Sequence, residues 1–289
     1  MLWLTLSLLT ALAASSQDAW IKKFFSNFTL YEMAAYPFVY SLPMFLITIP
    51  FIPVPRLDAT FFWCFLVSVP LNAVAFVLYI KAIRISPLSL TVPYLAFTPA
   101  FMIFTGYVFL DEMPNIWGIF GIMIICMGSY ILNIEPGKWN FLSPLKAVSK
   151  ETGSWLMLFV AFLFSFAAVI GKKGILHSSP FFFTISFFGV LNLFLIISLR
   201  AFGKIRIRTF RKTPLKGIIV GSLLFIHALC HGLAISLTTA AYMISVKRLS
   251  VVIGVVYGKL LFKEENMGFR MSGALLMLVG TVIITLQGL

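Results

Sequence analysis

Acidic side chains are scarce in this 289-residue chain: nine Asp and Glu stand against 22 Lys and Arg, a formal charge of +13. Charge of either sign is sparse too, at 11% of residues, where a soluble domain carries about 25%. That excludes a soluble globular domain. The carboxylates Asp18, Glu32, Asp111, Glu112, Glu264 and Glu265 fall near the ends of apolar stretches, so a carboxylate proton relay inside a membrane is not expected. Only three cysteines occur, Cys64, Cys126 and Cys230, each inside an apolar run and without Cys-x-x-Cys spacing. Neither a disulfide framework nor a thiolate metal site is indicated. A Gly-rich phosphate loop ending in Lys-Ser or Lys-Thr is missing as well, so the chain is not expected to hydrolyse ATP itself. No cofactor and no metal are expected.

What is abundant is apolar sequence, at 61% of residues. A membrane-spanning helix takes roughly 20 such residues, and the chain divides into about ten stretches of that kind with short connectors. The stretches are continuously apolar and do not alternate, which excludes a β-barrel. The expected fold is an all-α integral membrane protein with ten transmembrane helices. The opening segment MLWLTLSLLTALAASSQDAW lacks the basic start of a signal peptide and is expected to be the first of them. The basic residues lie mainly in connectors, where anionic head groups of the lipid bilayer attract them, so nucleic acid is not an expected partner.

Shifting the chain by 152 residues superposes Trp3 on Trp155, Ala82 on Ala234, Ile83 on Ile235, Gly106 on Gly258, Glu112 on Glu264, Gly121 on Gly273 and Gly128 on Gly280. Glycines seven apart share a helix face and let helices approach closely. Gly254 to Gly258 and Gly217 to Gly221 are further small-xxx-small elements. The expected spans are 2–21, 36–52, 60–80, 87–110 and 114–133, then 154–171, 180–199, 214–236, 239–262 and 267–287. Five is odd, so two homologous halves enter the membrane from opposite sides, an inverted-topology repeat. The repeats are placed at 1–134 and 153–289, with 135–152 as connector.

The blocks Leu88 to Ile131 and Ala240 to Ile283, each a helix, an acidic turn and a Gly-rich helix, resemble the two EamA-type domains of the drug/metabolite transporter superfamily. The resemblance covers nearly the whole chain. It implies a carrier of small metabolites whose cavity is lined by the first, third and fourth helices of each half, with cytosolic termini. Charge argues the other orientation. Sixteen basic residues fall in connectors of one side, and only Arg56, Lys172 and Lys173 on the other, which places both termini outside a plasma (inner) membrane.

Lys247 and Arg248 interrupt the ninth span, where a charge costs about 3 kcal/mol on insertion scales. Snorkelling to an interface is one explanation. The other is a cavity site for an anionic group, gripped by the planar fork of Arg248 and the point charge of Lys247. The stretch SVKRLSVVIGVVYGKLLFKE is similar to the Lys-Arg segment in the ninth helix of plastid phosphate-sugar translocators, and that similarity implies phosphate as ligand. The equivalent first-half residues, Leu95 and Ala96, are apolar, so the cavity is expected to be electrically lopsided.

His227 and His231 lie one turn apart and suit an interhelical hydrogen bond, a titratable pair or a substrate contact. Asn72 with Tyr79, and Tyr94 with Thr98, are paired on helix faces as further candidates for substrate contact or interhelical bonding. Pro70, Pro93 and Pro99 can open the backbone where helices line a cavity. The expected function is a secondary transporter, an exporter or exchanger of a small metabolite with an anionic carboxylate or phosphate. An intramembrane enzyme holding a lipid or metabolite phosphate on the same pair is the alternative, although no catalytic spacing accompanies the histidines.

Overall fold

The structure, a computed structural model, describes residues 1–86, 92–132, 152–263 and 267–288. Glu264, Glu265 and nearly all of the expected connector 135–152 lie outside the described residues. Every regular element among the described residues is helical. They are α1 (Leu2–Phe25), α2 (Leu30–Thr48), α3 (Ala59–Ile85), α4 (Thr98–Leu110), α5 (Ile116–Leu132), α6 (Thr152–Leu176), α7 (Pro180–Ala201), the single turn α8 (Ile207–Phe210), α9 (Pro214–Ser236), α10 (Ala240–Lys247), α11 (Ser250–Phe262) and α12 (Met267–Gln287). Six segments are long and apolar enough to cross a membrane: Leu30–Phe51, Ala59–Ile85, Thr152–Leu176, Pro180–Ala201, Pro214–Ser236 and Ala240–Leu261. Shorter apolar helices cover Tyr94–Leu110, Ile116–Ile131 and Met271–Gln287.

Helix ends follow local chemistry. The second helix begins six residues before its expected start at 36 because Thr29 and Glu32 form a capping box: the Thr29 hydroxyl accepts the Glu32 N–H and the Glu32 carboxylate accepts the Thr29 N–H, both at 3.3 Å. Ser179 caps α7 by accepting the Phe182 N–H, with Pro180 in the first turn, where a missing N–H does no harm. Asp58, just before α3, accepts the Phe61 N–H at 2.8 Å and binds His177 Nδ1 at 2.6 Å.

By spatial contact the chain forms two compact units, Met1–Ala73 with Gly171–Leu237, and Val74–Ile170 with Thr238–Leu289. Each takes segments from before and after the connector, and α3 and α6 each contribute to both. In the first unit α2 lies against α7 and α9. Phe45, Ile185 and Ala228 are buried together there, and Asn192 Nδ2 donates to Ser41 Oγ at 2.8 Å. Gly217 and Gly221 of α9 face Tyr40 of α2; a Cβ at Gly221 would fall 2.7 Å from the Tyr40 backbone. That close approach is the role expected of the Gly217 to Gly221 pair.

In the second unit the glycine helices α5 and α12 cross. A Cβ on Gly121 would stand 2.8 Å from the Gly280 carbonyl, and one on Gly280 would stand 2.7 Å from the Gly121 carbonyl. Gly128 meets the Gly273 carbonyl at 2.6 Å in the same way. Backbone touches backbone at both ends of the crossing, a separation only glycine permits.

Candidate functional site

The ninth span is not one continuous helix. Helix α10 ends at Lys247, Arg248 and Leu249 form a tight turn, and α11 starts at Ser250. The backbone shortens its hydrogen bonds there: Leu249 N–H donates to the Val246 carbonyl at 3.0 Å and Val251 N–H to the Arg248 carbonyl at 3.0 Å, three residues back instead of four. The described part of the fourth span also changes winding, from a 3-10 segment over Val92–Phe97 to α4, which starts at Thr98. With the 152-residue offset, Thr98 falls on Ser250, where α11 starts, and Leu110 falls on Phe262, where it ends. Asp111 and Lys263, which follow, are the non-glycine residues with positive φ among the described residues, both at 53°. Matching breaks, matching lengths and matching left-handed caps make these two half-helices copies of one local design. Pro93 lies within the first break and Pro99 in the first turn of α4 after it, whereas Pro70 sits inside a continuous α3.

Arg248 joins the two breaks. Its Nη2 donates to Thr98 Oγ1 at 2.7 Å, and Thr98 Oγ1 donates in turn to the Leu95 carbonyl at 2.8 Å. Cys126 Sγ donates to the Ala96 carbonyl at 3.0 Å. The interrupted backbone thus has its freed carbonyls met by a hydroxyl and a thiol, as lipid-embedded irregular chain requires. Arg248 is half-buried, its Nε is shielded from solvent without a hydrogen-bond partner, and no carboxylate pairs with it among the described residues. A guanidinium has five N–H donors in a planar fork. The arrangement can receive an anion.

Opposite the breaks, the helix starts are also charged. Glu112, in the acidic turn after α4, accepts the Ala240 N–H at 2.9 Å and so caps α10, the half-helix that ends at Lys247 just before Arg248. Lys247 is half-buried at the end of α10.

The other sequence candidates distribute unevenly. Tyr94 is buried with Ala82, Met157 and Val160, and Tyr79 packs against that cluster. Tyr94 does not share an α-helical face with Thr98, because the 3-10 segment lies between them. Asn72 donates to the Ser68 carbonyl of its own helix at 2.9 Å, so one of its amide hydrogens is used locally. His227 and His231 lie one turn apart on α9 with their rings tilted at 48° and their centroids 6.1 Å apart. These three belong to the first unit, and Arg248, Lys247, Thr98, Tyr94 and Tyr79 to the second.

Cys126 and Glu112 were not expected among the site-forming residues. Glu112 already stood in the repeated acidic turn, which was its only signal; nothing in the sequence marks Cys126. Leu95 and Ala96, passed over for their apolar side chains, contribute through their carbonyls.

Residues 1–134 match the model of the EamA-like transporter family. No curated protein sequence matches the chain. A protein crystal structure superposes on it with a TM-score of 0.69 at 12% identity, covering 99% of this chain and 95% of that one, which shows a shared fold and nothing further. Residues 1–134 are therefore similar to the EamA-like transporter family, consistent with the drug/metabolite transporter superfamily, and the six long apolar helices make the chain a multi-pass membrane protein.

Proposed function

We propose that the chain is a secondary transporter, an exporter or exchanger, of a small metabolite bearing a carboxylate or phosphate, and that Arg248 holds the anionic group with Lys247 beside it. The observation that carries this reading is the meeting of two broken helices at the Arg248–Thr98 hydrogen bond. Breaks at corresponding places in two halves are where transporters of this architecture bind substrate. Arg248 retains a shielded, unpartnered Nε, and an anion is the group that would satisfy it.

Alternating access follows if 1–134 and 153–289 are inverted repeats of five spans each. The glycine crossing supports that arrangement. Under the 152-residue offset, Gly121 corresponds to Gly273 and Gly128 to Gly280. The contacts run crosswise, Gly121 to Gly280 and Gly128 to Gly273. A two-fold axis perpendicular to an antiparallel pair exchanges those two contacts, whereas a parallel pair would match like with like. Connectors also meet as alternate threading requires: Glu32 bonds Thr209, Asp58 bonds His177, and Glu112 bonds Ala240. The excess of basic connectors on one side favours both termini outside a plasma membrane.

The test is the thermal stability of the purified protein against carboxylates, phosphorylated compounds, amino acids and neutral controls. A ligand at a hundred times its dissociation constant adds about 2.7 kcal/mol. One anionic class should stabilise the protein, and Arg248→Ala should abolish the effect. Thr98→Val should preserve it, since that change removes only an internal competitor for the guanidinium. Stabilisation that survives Arg248→Ala, or that only neutral compounds produce, overturns the proposal.

A further inference from the structure

Residues 200–216, between α7 and α9, hold seven Lys and Arg and no Asp or Glu. A basic connector is ordinarily a loose solvated loop. Here it is built. Gly203, at φ +64°, turns the chain back at the end of α7, with the Lys204 N–H donating to the Leu199 carbonyl at 2.8 Å. Ile205, Thr209 and Phe210 are then buried. Two hydroxyls from α2 hold the turn: Tyr36 Oη donates to the Thr209 carbonyl at 3.1 Å and Tyr40 Oη to the Phe210 carbonyl at 2.6 Å. Thr209 Oγ1 donates to Glu32 Oε1 at 2.7 Å. Phe25 and Phe210 enclose the Tyr36 ring.

With Ile205, Thr209 and Phe210 turned inward, Arg206, Arg208, Arg211 and Lys212 are left exposed. No carboxylate pairs with these four among the described residues. Glu32, the acid nearest to them in the bonding network, is itself buried and committed to Thr29 and Thr209. Lys204 and Lys216 lean over the rings of Tyr31 and Phe24, at 5.6 and 5.3 Å. Large apolar side chains are interleaved with the cations: Phe202 is 78% exposed, Leu215 77% and Ile207 44%. Unpaired cations among exposed apolar groups, at the ends of two helices apolar enough to span, match the two parts of a phospholipid: an anionic head and its acyl chains.

We propose that this face binds the head group of an anionic phospholipid, with Arg206, Arg208, Arg211 and Lys212 on the phosphate and Phe202, Ile207 and Leu215 against the acyl region. A fixed frame distinguishes it from a diffuse basic loop, because the cations need little further ordering to bind. The site is separate from Arg248 and does not depend on what the protein transports.

The experiment uses the full chain in neutral detergent, titrated with phosphatidylglycerol or phosphatidylcholine, reading retained lipid and the thermal midpoint. A cation near an anionic surface contributes about fivefold in affinity. Phosphatidylglycerol should therefore bind and stabilise, phosphatidylcholine should not, and the variant Arg206→Gln/Arg208→Gln/Arg211→Gln/Lys212→Gln should lose several hundredfold. Arg208→Gln/Lys212→Gln, with two cations kept, should lose about 25-fold and provides the reading if the fourfold variant does not fold. Arg248→Ala should leave lipid retention unchanged. Equal retention of the two lipids, retention that survives the Gln variants, or displacement by millimolar inorganic phosphate overturns the proposal.

Discussion

Gly128→Ala tests the α5–α12 crossing most directly. In a helix interior alanine is favoured over glycine by about 1 kcal/mol, so an unconstrained position would gain stability. At Gly128 the new methyl would meet the Gly273 carbonyl oxygen at 2.6 Å and the Met277 backbone nitrogen and Cγ at 2.8 Å. Two of those three atoms are backbone and cannot rotate away. The helices must separate by roughly half an ångström or more to restore ordinary contact, and overpacking of this kind costs about 1–3 kcal/mol. The two effects together leave a net loss of about 0–2 kcal/mol, where an unconstrained glycine would show a gain of about 1 kcal/mol.

The same separation relieves the clash at the other end of the crossing, where Gly121 faces Gly280. Gly121→Ala/Gly128→Ala should therefore lose less than the sum of the single losses, by about 0.5 kcal/mol or more. Gly128→Ala with Gly221→Ala, whose methyl would strike Tyr40 in another helix pair, should be additive. Thermal and denaturant unfolding of the purified variants in one detergent supplies all the numbers. A Gly128→Ala protein more stable than the wild type by about 1 kcal/mol, or strict additivity for the Gly121/Gly128 pair, would refute the shared-crossing argument.

Other outcomes follow from single contacts. Glu112→Ala removes the cap of α10 and should lower stability by about 1 kcal/mol, with Glu112→Gln, which keeps an acceptor, losing less. Tyr40→Phe leaves the Phe210 carbonyl without its donor; unfolding should show a loss of about 1–3 kcal/mol, and trypsin should cut the 206–212 connector faster. The Asp58 carboxyl is held below its ordinary value of 3.8, first by the Phe61 N–H and then by His177. A depressed carboxyl adds stability above its unfolded pKa and loses it as pH falls through the lowered folded value. Thermal midpoints below about pH 4 should thus fall less steeply in Asp58→Asn than in the wild type, and parallel curves would contradict this.

Composition by itself determined that the chain is helical and membrane-embedded, because few charges and long unbroken apolar runs admit little else. The 152-residue offset likewise marked the glycines of α5 and α12, since a close helix crossing demands a side chain of no size. Local polar patterns were legible only in part: Thr29 and Glu32 spell a capping box, yet Glu32 suggested a connector by its charge. Hydropathy did not show the helix breaks, although Pro93 and Pro99 marked the first as a place where the backbone can open. Hydropathy sums side chains, and Val92–Phe97 is as apolar as a helix. Its 3-10 winding turns 120° per residue, so the four-residue step from Tyr94 to Thr98 no longer returns to one face.

Tertiary structure alone decided what Arg248 touches. Its partner Thr98 is 150 residues away, and the two meet because both spans break at equivalent places. The same is true of Glu112 on the α10 terminus, 128 residues distant, and of the carbonyl of Ala96 under Cys126. Sequence records which groups a residue carries. Which buried donors find acceptors is a property of the folded backbone, whose carbonyls have no letter of their own.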